Sequence, residues 1–242
     1  MELHFHCPEF EEEVRTRLGV FHRPITEEDI LSVTQLDLDS FDFSPGDMDT
    51  LSLFRNLKVL YINIGQTDPS FWHSFVNMEK LYVVCWGDSF DFSAFSEMKK
   101  LSALSVSGGD WSDMRFLHLE SLVPLQRLRY LQLHEFGRVD LLPLASMPQL
   151  RELQLCYAND VLNMDVIGTL AQLEALTLDG LFVESLDFWD ELPHSMYLEM
   201  CGNHVYNGVE PQKWKRFAKY DICEISVHDK PYAYIDLSVL DT

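Results

Sequence analysis

The stretch "LRYLQLHEF", residues 128–136, sets three leucines in the pattern L-x-x-L-x-L. The pattern returns in "LRELQLCYA" and "LEALTLDGL", which begin at Leu150 and Leu173. Looser copies begin at Val33, Leu57, Met78 and Leu101, and "PHSMYLEM" begins a weaker one at Pro193. Successive copies are 20 to 27 residues apart, and a strand-like stretch, "ICEISV", follows from Ile222. A period of this length indicates a repeat architecture.

Ahead of most copies the apolar residues switch to a spacing of three, as in Leu51-Phe54-Leu57 and Ile167-Leu170-Leu173. A helical or 3-10 turn places every third or fourth residue on one face, whereas a strand alternates its side chains. Each unit is therefore predicted to be a short strand, a loop and a helical return. Because one unit cannot bury its apolar side alone, stacked units would form an α/β solenoid with a continuous core.

The N-terminal segment is predicted to cover the open end of this solenoid. Phe10, Val14 and Leu18 form an apolar stripe at helical spacing. Thr26, with Asp29 three residues later, is typical of a helix N-cap with an acidic first turn. A capping element of this kind keeps the exposed end of the core from water.

With these features the chain resembles the leucine-rich repeat family, and residues 10–40 resemble the entry segment of bacterial internalin-like members. The resemblance implies a curved parallel sheet on the concave side, short helical or 3-10 returns on the convex side, and a bacterial interaction module. Members usually carry an asparagine three residues after the last strand leucine. Here those positions hold Phe41, Gly65, Trp86, Gly109, Phe136, Ala158, Leu181 and Cys201. We expect apolar stacking to stabilise these turns in place of an asparagine ladder.

Three parts are expected: an N-terminal cap over residues 1–32, about eight repeats over 33–201, and a C-terminal cap over 202–242. The last part is predicted to hold a helix in "EPQKWKRFAKY", with Pro211 in its first turn, and one or two strands. The basic residues of this predicted helix are Lys213, Lys215, Arg216 and Lys219. They form either the solvated face of the helix or a contact for an acidic partner or for the acidic half of the chain.

The charge of the 242-residue chain is strongly negative, with 18 basic and 39 acidic residues and a formal net charge of −21. Such acidity argues against a nucleic-acid partner and against docking on an anionic membrane, and it attracts basic partners. The five cysteines are scattered and form no C-x-x-C pair, which is typical of reduced thiols. Since no signal peptide and no run of 18 apolar residues is seen, we expect a cytoplasmic protein.

Residues between the inward leucines of each strand are predicted to face outward and to form a protein-binding concave face. The candidate binding residues are Asp37, Asp39, Tyr61, Tyr82, Tyr130, His134, Glu152, Asp179, Tyr197 and Glu199. Tyr61 and Tyr82 should be direct neighbours, and the four tyrosines are candidate anchors, although strand tyrosines also simply favour sheet structure. The acidic members favour a basic protein partner. Small size and acidity raise the narrower hypothesis of an inhibitor or immunity-type protein.

Aromatic residues follow the third and fourth copies. Trp86, Phe90, Phe92 and Trp111 are candidates for an aromatic rim on one edge of the sheet. The preferred interpretation is that most of them fill the space left by the missing asparagines.

One outward row suggests chemistry at first sight: Ser107, His134, Cys156 and Asp179 occupy the same position on four successive strands. A nucleophile needs a neighbouring base, and that base needs an orienting group. Because Cys156 would separate His134 from Asp179, the order is wrong for a triad. We therefore expect no enzyme, and an enzyme or a metal or thiol site at this row remains the alternative. A structural subunit of a larger assembly is a further alternative.

The segment "HFHC", residues 4–7, is the densest set of metal-ligating residue types. No second cluster completes a zinc site at a recognised spacing. An N-terminal strand joining the cap is the preferred interpretation. The sequence also has no G-x-G-x-x-G, P-loop or H-E-x-x-H motif, so no cofactor and no metal are expected.

Overall fold

Short strands alternate with helical returns along the computed structural model, which describes residues 2–39, 45–109, 113–183, 188, 192, 197–205, 221–229 and 233–234. The α-helices are α1 (Pro8–Leu18), α2 (Glu27–Ile30) and α3 (Pro45–Leu51). The strands are β1 (Gln35–Leu38), β2 (Val59–Ile64), β3 (Lys80–Cys85), β4 (Ser89–Asp91), β5 (Ala103–Gly108), β6 (Arg115–Leu117), β7 (Tyr130–Asp140), β8 (Glu152–Leu162), β9 (Ala175–Val183), β10 (Tyr197–Val205), β11 (Asp221–Asp229) and β12 (Ala233–Tyr234). The 3-10 helices are Pro69–Phe75, Ser93–Glu97, Leu119–Leu122, Leu142–Ser146 and Met164–Thr169.

The main sheet follows the order β1-β2-β3-β5-β7-β8-β9-β10-β11-β12. Every pair in it is parallel except β11 with β12. From β1 to β9, helical returns connect the successive parallel strands of this sheet. This is the leucine-rich repeat solenoid that the sequence predicts, with the sheet on one side and the 3-10 helices on the other.

The core lies between the sheet and the returns and consists of the leucines that define the repeat. Leu131, Leu133, Leu153 and Leu155 are fully buried, as are the return residues at the three-residue spacing. The register stacks equivalent residues, for example Leu133 beside Val106 and Leu155. Repetition of one inward pattern therefore produces one continuous core.

The N-terminal cap forms as predicted. Phe10 and Val14 of α1 are fully buried, and Phe10 lies 5.8 Å from Phe54 between ring centroids. Thr26 and Asp29 form a complete capping box at α2. The segment "HFHC" does not form the expected strand, and the β contact of the N-terminal segment is an isolated bridge that lies before it, between Glu2 and Thr26.

Asp47 fixes the N-terminal segment to α3. Its carboxylate is 1% exposed and accepts hydrogen bonds from the backbone amides of His6 (2.8 Å) and Cys7 (3.0 Å). A carboxylate can satisfy two such donors at the start of a helix, where they lack helical partners. Asp47 therefore connects the cap to the body of the solenoid.

Replacing Asp47 with alanine is expected to lower the free energy of unfolding by about 2–3 kcal/mol, because it leaves buried amides without acceptors. Urea denaturation measures the change. Asp49→Ala, at an exposed position of the same helix, serves as the control and should change stability by less than about 0.5 kcal/mol. Equal losses in the two variants would contradict the proposed role of Asp47.

Aromatic packing takes the place of part of the asparagine ladder. Phe90 and Phe92 are buried, and a series of ring contacts continues from Phe92 to Phe116 (5.6 Å) and from Phe116 to Phe136 (5.1 Å). Phe90 and Phe92 thus fill space in the interior and do not form an exposed aromatic rim. Trp86 differs, since 52% of its surface remains exposed. Trp111 lies outside the described residues.

The last copy of the pattern is shifted by two residues from the sequence prediction. Leu198 pairs with Leu176 and Met200 with Leu178, so the copy begins at residue 195 and not at Pro193. With this register Asn203, and not Cys201, occupies the position of the family's asparagine, directly before the His204–Phe182 pair. The pattern alone misplaced the copy because Met196 and Leu198 have the same spacing as Leu198 and Met200.

The parallel sheet continues beyond residue 201. β10 extends to Val205, and β11 pairs with it in parallel, so the expected boundary between repeats and C-terminal cap falls inside a strand. The strand predicted from Ile222 is confirmed as part of β11. The basic cluster of residues 213–219 and its predicted helix lie outside the described residues. In the part of the chain that the structure describes, no helix is long and apolar enough to cross a membrane.

Candidate protein-binding face

The outward side chains of the sheet stand in three columns that the strand register defines, and we call them together the concave face. The first column contains Gln35, Val59, Lys80, Ala103, Tyr130, Glu152, Ala175 and Tyr197. The middle column contains Asp37, Tyr61, Tyr82, Ser105, Gln132, Gln154, Thr177 and Glu199. The third column contains Asn63, Val84, Ser107, His134, Cys156 and Asp179, and Asp39 lies just past the end of β1.

Two tyrosines stack at the centre of the N-terminal half. The rings of Tyr61 and Tyr82 are parallel, with 3° between their planes and 4.4 Å between centroids. Burial and the neighbouring Tyr82 phenol raise the pKa of Tyr61. Both side chains remain partly exposed. Because each ring restricts the motion of the other, a partner that binds here causes little additional loss of side-chain entropy.

A hydrogen-bonded network continues the surface from the tyrosine stack. Ser105 Oγ donates to Gln132 Oε1 (2.7 Å), and Gln132 Nε2 donates to Gln154 Oε1 (3.0 Å). Tyr130 Oη donates to Gln132 Oε1 (3.1 Å), which draws its ring over the middle column. Burial of the half-covered phenol raises the pKa of Tyr130 to about 12. This hydrogen-bonded part of the centre is therefore uncharged, polar and held in place.

The network also covers part of the surface that the sequence predicts to be open. Ala103 and Ser105 are each 9% exposed although they point to the concave side. The sequence analysis missed Gln132 and Gln154 as site residues. The sequence did contain a signal for this pair, because two glutamines at the same position of neighbouring repeats can form a hydrogen bond with each other along the column.

Acidic groups flank this neutral centre. Asp37 and Asp39 lie at the N-terminal end, where burial and the charge of Asp39 raise the pKa of Asp37. Glu152, Asp179 and Glu199 lie toward the other end. Among the described positions of the three columns, Lys80 is the one lysine or arginine. The concave face thus carries negative charge on both sides of an aromatic and amide centre.

Tyr197 belongs to a different column from the one predicted. It pairs with Ala175 in the first column, whereas the pattern placed it beside the middle-column tyrosines. Its phenol donates to Glu199 Oε2 (3.2 Å), and 39% of the residue is exposed. The four tyrosines therefore form a central pair, Tyr130 beside the amide network, and Tyr197 at the acidic C-terminal side.

The row that suggested chemistry in the sequence, Ser107, His134, Cys156 and Asp179, lies in the predicted register. Ser107 Oγ lies 3.1 Å from His134 Nδ1, and Cys156 separates His134 from Asp179. The position of Cys156 leaves the serine–histidine pair without an orienting carboxylate from Asp179. Burial raises the pKa of Cys156 to about 12, with smaller contributions from the negative charges of Asp179 and Glu199. A thiol with so high a pKa is a poor nucleophile and metal ligand.

Cys156 is expected to react slowly with thiol reagents in the native protein. With a pKa of about 12, about one thiol in ten thousand is ionised at pH 8, and the side chain is 7% exposed. Maleimide labelling followed by peptide mass spectrometry should show a rate on the order of 1,000-fold below that in denaturant. Equal rates in native and denatured protein would instead support the thiol-site alternative.

Strands β7, β8 and β9 share a backbone irregularity at one register position, the sixth residue of each strand. Glu135, Tyr157 and Gly180 all have positive φ there, at 52°, 53° and 60°. Residues with a side chain rarely adopt this backbone conformation, whereas glycine does so freely. The Tyr157 ring lies against Gly180 and makes an edge contact with His134 (5.2 Å). The sequence pattern carries no signal for this irregularity at Glu135 and Tyr157.

The segment "HFHC" serves a structural role in the described chain. The amides of His6 and Cys7 bind Asp47, and the His4 carbonyl accepts a hydrogen bond from Thr50 Oγ1 (2.9 Å). Among the described residues, no group of three or more histidine, cysteine, aspartate or glutamate side chains is arranged to hold a metal ion.

No protein-family model matches the sequence, and no curated protein matches it. Solved structures do match in shape. An internalin (InlF) from Listeria monocytogenes superimposes with a TM-score of 0.65 at 20% identity, over 93% of this chain and 65% of that chain. The ectodomain of the receptor kinase GASSHO1/SCHENGEN3 from Arabidopsis thaliana, solved with Casparian strip integrity factor 2, gives 0.57 at 15% identity, over 85% and 26%. The TLR13–ssRNA13 complex gives 0.57 at 14% identity, over 85% and 34%.

These likenesses show the fold, a leucine-rich repeat solenoid of the internalin type. The chain spans 65% of the InlF chain and smaller shares of the other two. The matched complexes contain different kinds of ligand, one of them an RNA. The choice of ligand for this chain therefore depends on its own concave face.

Proposed function

We propose that this leucine-rich repeat protein is a non-catalytic module that binds a basic protein partner on its concave face. One observation carries the proposal: a fixed aromatic and amide centre is flanked on both sides by carboxylates. Stacked tyrosines supply contact area of the kind found at interface hot spots. The surrounding charges select a partner of opposite sign and accelerate its association.

The charge distribution supports a protein partner over a nucleic acid. Binding of RNA or DNA needs clustered lysines and arginines that neutralise phosphates. The described columns of the concave face hold Lys80 and four carboxylates, with Asp39 just past the end of β1, and the whole chain has a net charge of −21. A polyanion would be repelled from such a surface.

The narrower proposal is an inhibitor or immunity-type role, in which the protein occupies the basic active surface of a toxin or enzyme. The support for it is the strong acidity of the chain together with the preorganised concave face. An inhibitor of this kind needs a rigid surface, because flexible side chains would lose affinity on ordering.

A pull-down from the native cell extract at two salt concentrations tests the proposal. We expect a lysine- and arginine-rich protein at about 0.1 M salt and weaker recovery at about 0.5 M, because surface charges are screened. The variant Glu152→Gln/Asp179→Asn/Glu199→Gln should recover less of it. The control Glu97→Gln/Glu120→Gln/Asp165→Asn removes three exposed carboxylates from the 3-10 helices of the opposite side. Recovery of RNA or of an acidic partner, or equal losses in both variants, would contradict the proposal.

A further inference from the structure

A groove of about 600 Å³ lies at the carboxyl ends of β2 and β3, between α3 and the 3-10 helix Pro69–Phe75. It is outside the three columns of the concave face, apart from Asn63, which belongs to both. Volumes of this size accommodate a side chain together with a short stretch of peptide. The groove is therefore large enough to be a binding site of its own.

Trp86 forms one wall of the groove and is held at both ends. Its indole N–H donates to Asn63 Oδ1, and its six-membered ring lies against Gly109. A Cβ atom on residue 109 would lie 2.2 Å from Trp86 Cε3, so only glycine permits this position of the ring. Even so, 52% of Trp86 is exposed. A large aromatic side chain that is both fixed and exposed is typical of a recognition surface.

The remaining walls combine apolar and acidic groups. Phe71 and Met48 are partly buried and line the groove, as do the exposed residues Asp49 and Asp68. Hydrogen bonds from Ser70 lower the pKa of Asp68, so its carboxylate keeps its charge in mildly acidic solution. Among the described residues that line the groove, none is a lysine or an arginine. These described walls thus offer an aromatic surface and two negative charges.

We propose that this groove binds an arginine side chain of the protein partner. The guanidinium group is attracted to the indole of Trp86 and donates hydrogen bonds to the carboxylates of Asp49 and Asp68. The methylene stem packs against Phe71 and Met48. Arginine fits better than lysine because its planar group stacks on aromatic rings and presents several donors at once. This inference rests on the proposed function, since it assigns one basic residue of the partner to a place beside the concave face.

The first arm of the test measures the groove chemistry without the partner. N-acetyl-arginine amide is titrated into ¹⁵N-labelled protein, and the Trp86 indole resonance is identified by its loss in Trp86→Phe. We expect this resonance to shift with a Kd in the millimolar range, as is usual for a single side chain. N-acetyl-citrulline amide has nearly the same shape without the charge and should shift it at least about 10-fold less. No shift with the arginine compound, or equal shifts with both compounds, would overturn the inference.

The second arm uses the captured partner and the variant Asp49→Asn/Asp68→Asn, in which the asparagine at residue 68 can still cap the 3-10 helix. We expect partner affinity to fall about 10- to 100-fold. The control Glu97→Gln/Asp165→Asn removes the same charge from other 3-10 helices and should keep the affinity within about 2-fold. If Asp49→Asn/Asp68→Asn binds as well as wild type while the concave-face variant does not, the groove inference fails and the proposed function stands. If neither variant changes binding, both fail.

Discussion

Replacing Leu133 with alanine is expected to lower the free energy of unfolding by about 3–5 kcal/mol. Leu133 is fully buried and packs between Val106 and Leu155 of the neighbouring repeats. Alanine leaves a cavity in the core, and both interfaces of the repeat lose contacts. Because a solenoid is stabilised by interactions between nearest neighbours, the loss affects the repeats on both sides. Urea denaturation followed by circular dichroism measures it.

Leu142→Ala is the matched control for this prediction. The substitution is the same, but Leu142 lies on a 3-10 helix with 58% of its surface exposed. It should change stability by less than about 0.5 kcal/mol. If the two variants lost equal stability, the inward leucines would not form the core described above.

The double variant Tyr61→Ala/Tyr82→Ala is expected to lower partner affinity by about 2–4 kcal/mol, or about 30- to 1,000-fold in Kd. The stacked rings form a fixed aromatic surface within the concave columns. Their removal takes away contact area and the order that each ring imposes on the other. Isothermal titration calorimetry with the captured partner measures the change.

Tyr61→Phe/Tyr82→Phe is the control, since it keeps the stacked rings and removes only the phenol oxygens. We expect it to retain affinity to within about 10-fold. If the phenylalanine variant bound as weakly as the alanine variant, the binding free energy would come from the tyrosine hydroxyl groups and not from the rings. Full affinity in the alanine variant would show that the tyrosine pair is not an anchor of the interface.

The leucine pattern predicted the sheet correctly because residues at equal spacing in each repeat pair in register. It placed Tyr61 beside Tyr82, and the structure confirms that these rings stack. The capping box of Thr26 and Asp29 was also predictable, since both partners lie within one turn of chain. Interactions that are local, or that repeat exactly, can be read from a sequence.

The parts that the pattern missed depend on departures from the repeat. The last copy was misplaced because the connection before it has no regular spacing, and Tyr197 changed columns as a result. Ser105 and Cys156 lie on the outward side but are buried, because neighbouring side chains close over them. Trp86 is exposed whereas Phe90 is buried, because Trp86 follows the end of β3 and Phe90 lies in the separate short strand β4, which the repeat pattern did not predict. Backbone irregularities at Glu135 and Tyr157 likewise follow from packing and not from residue type.

Site-specific photo-crosslinking in the native cell tests the central claim most directly. A benzophenone side chain at Ala175 stands in the first column of the concave face and leaves every candidate anchor unchanged. The matched position, Ala145, is an exposed alanine on a 3-10 helix of the opposite side. We predict that the Ala175 probe crosslinks a basic protein and that the Ala145 probe does not. A basic partner captured from Ala145 and not from Ala175 would contradict binding through the concave face.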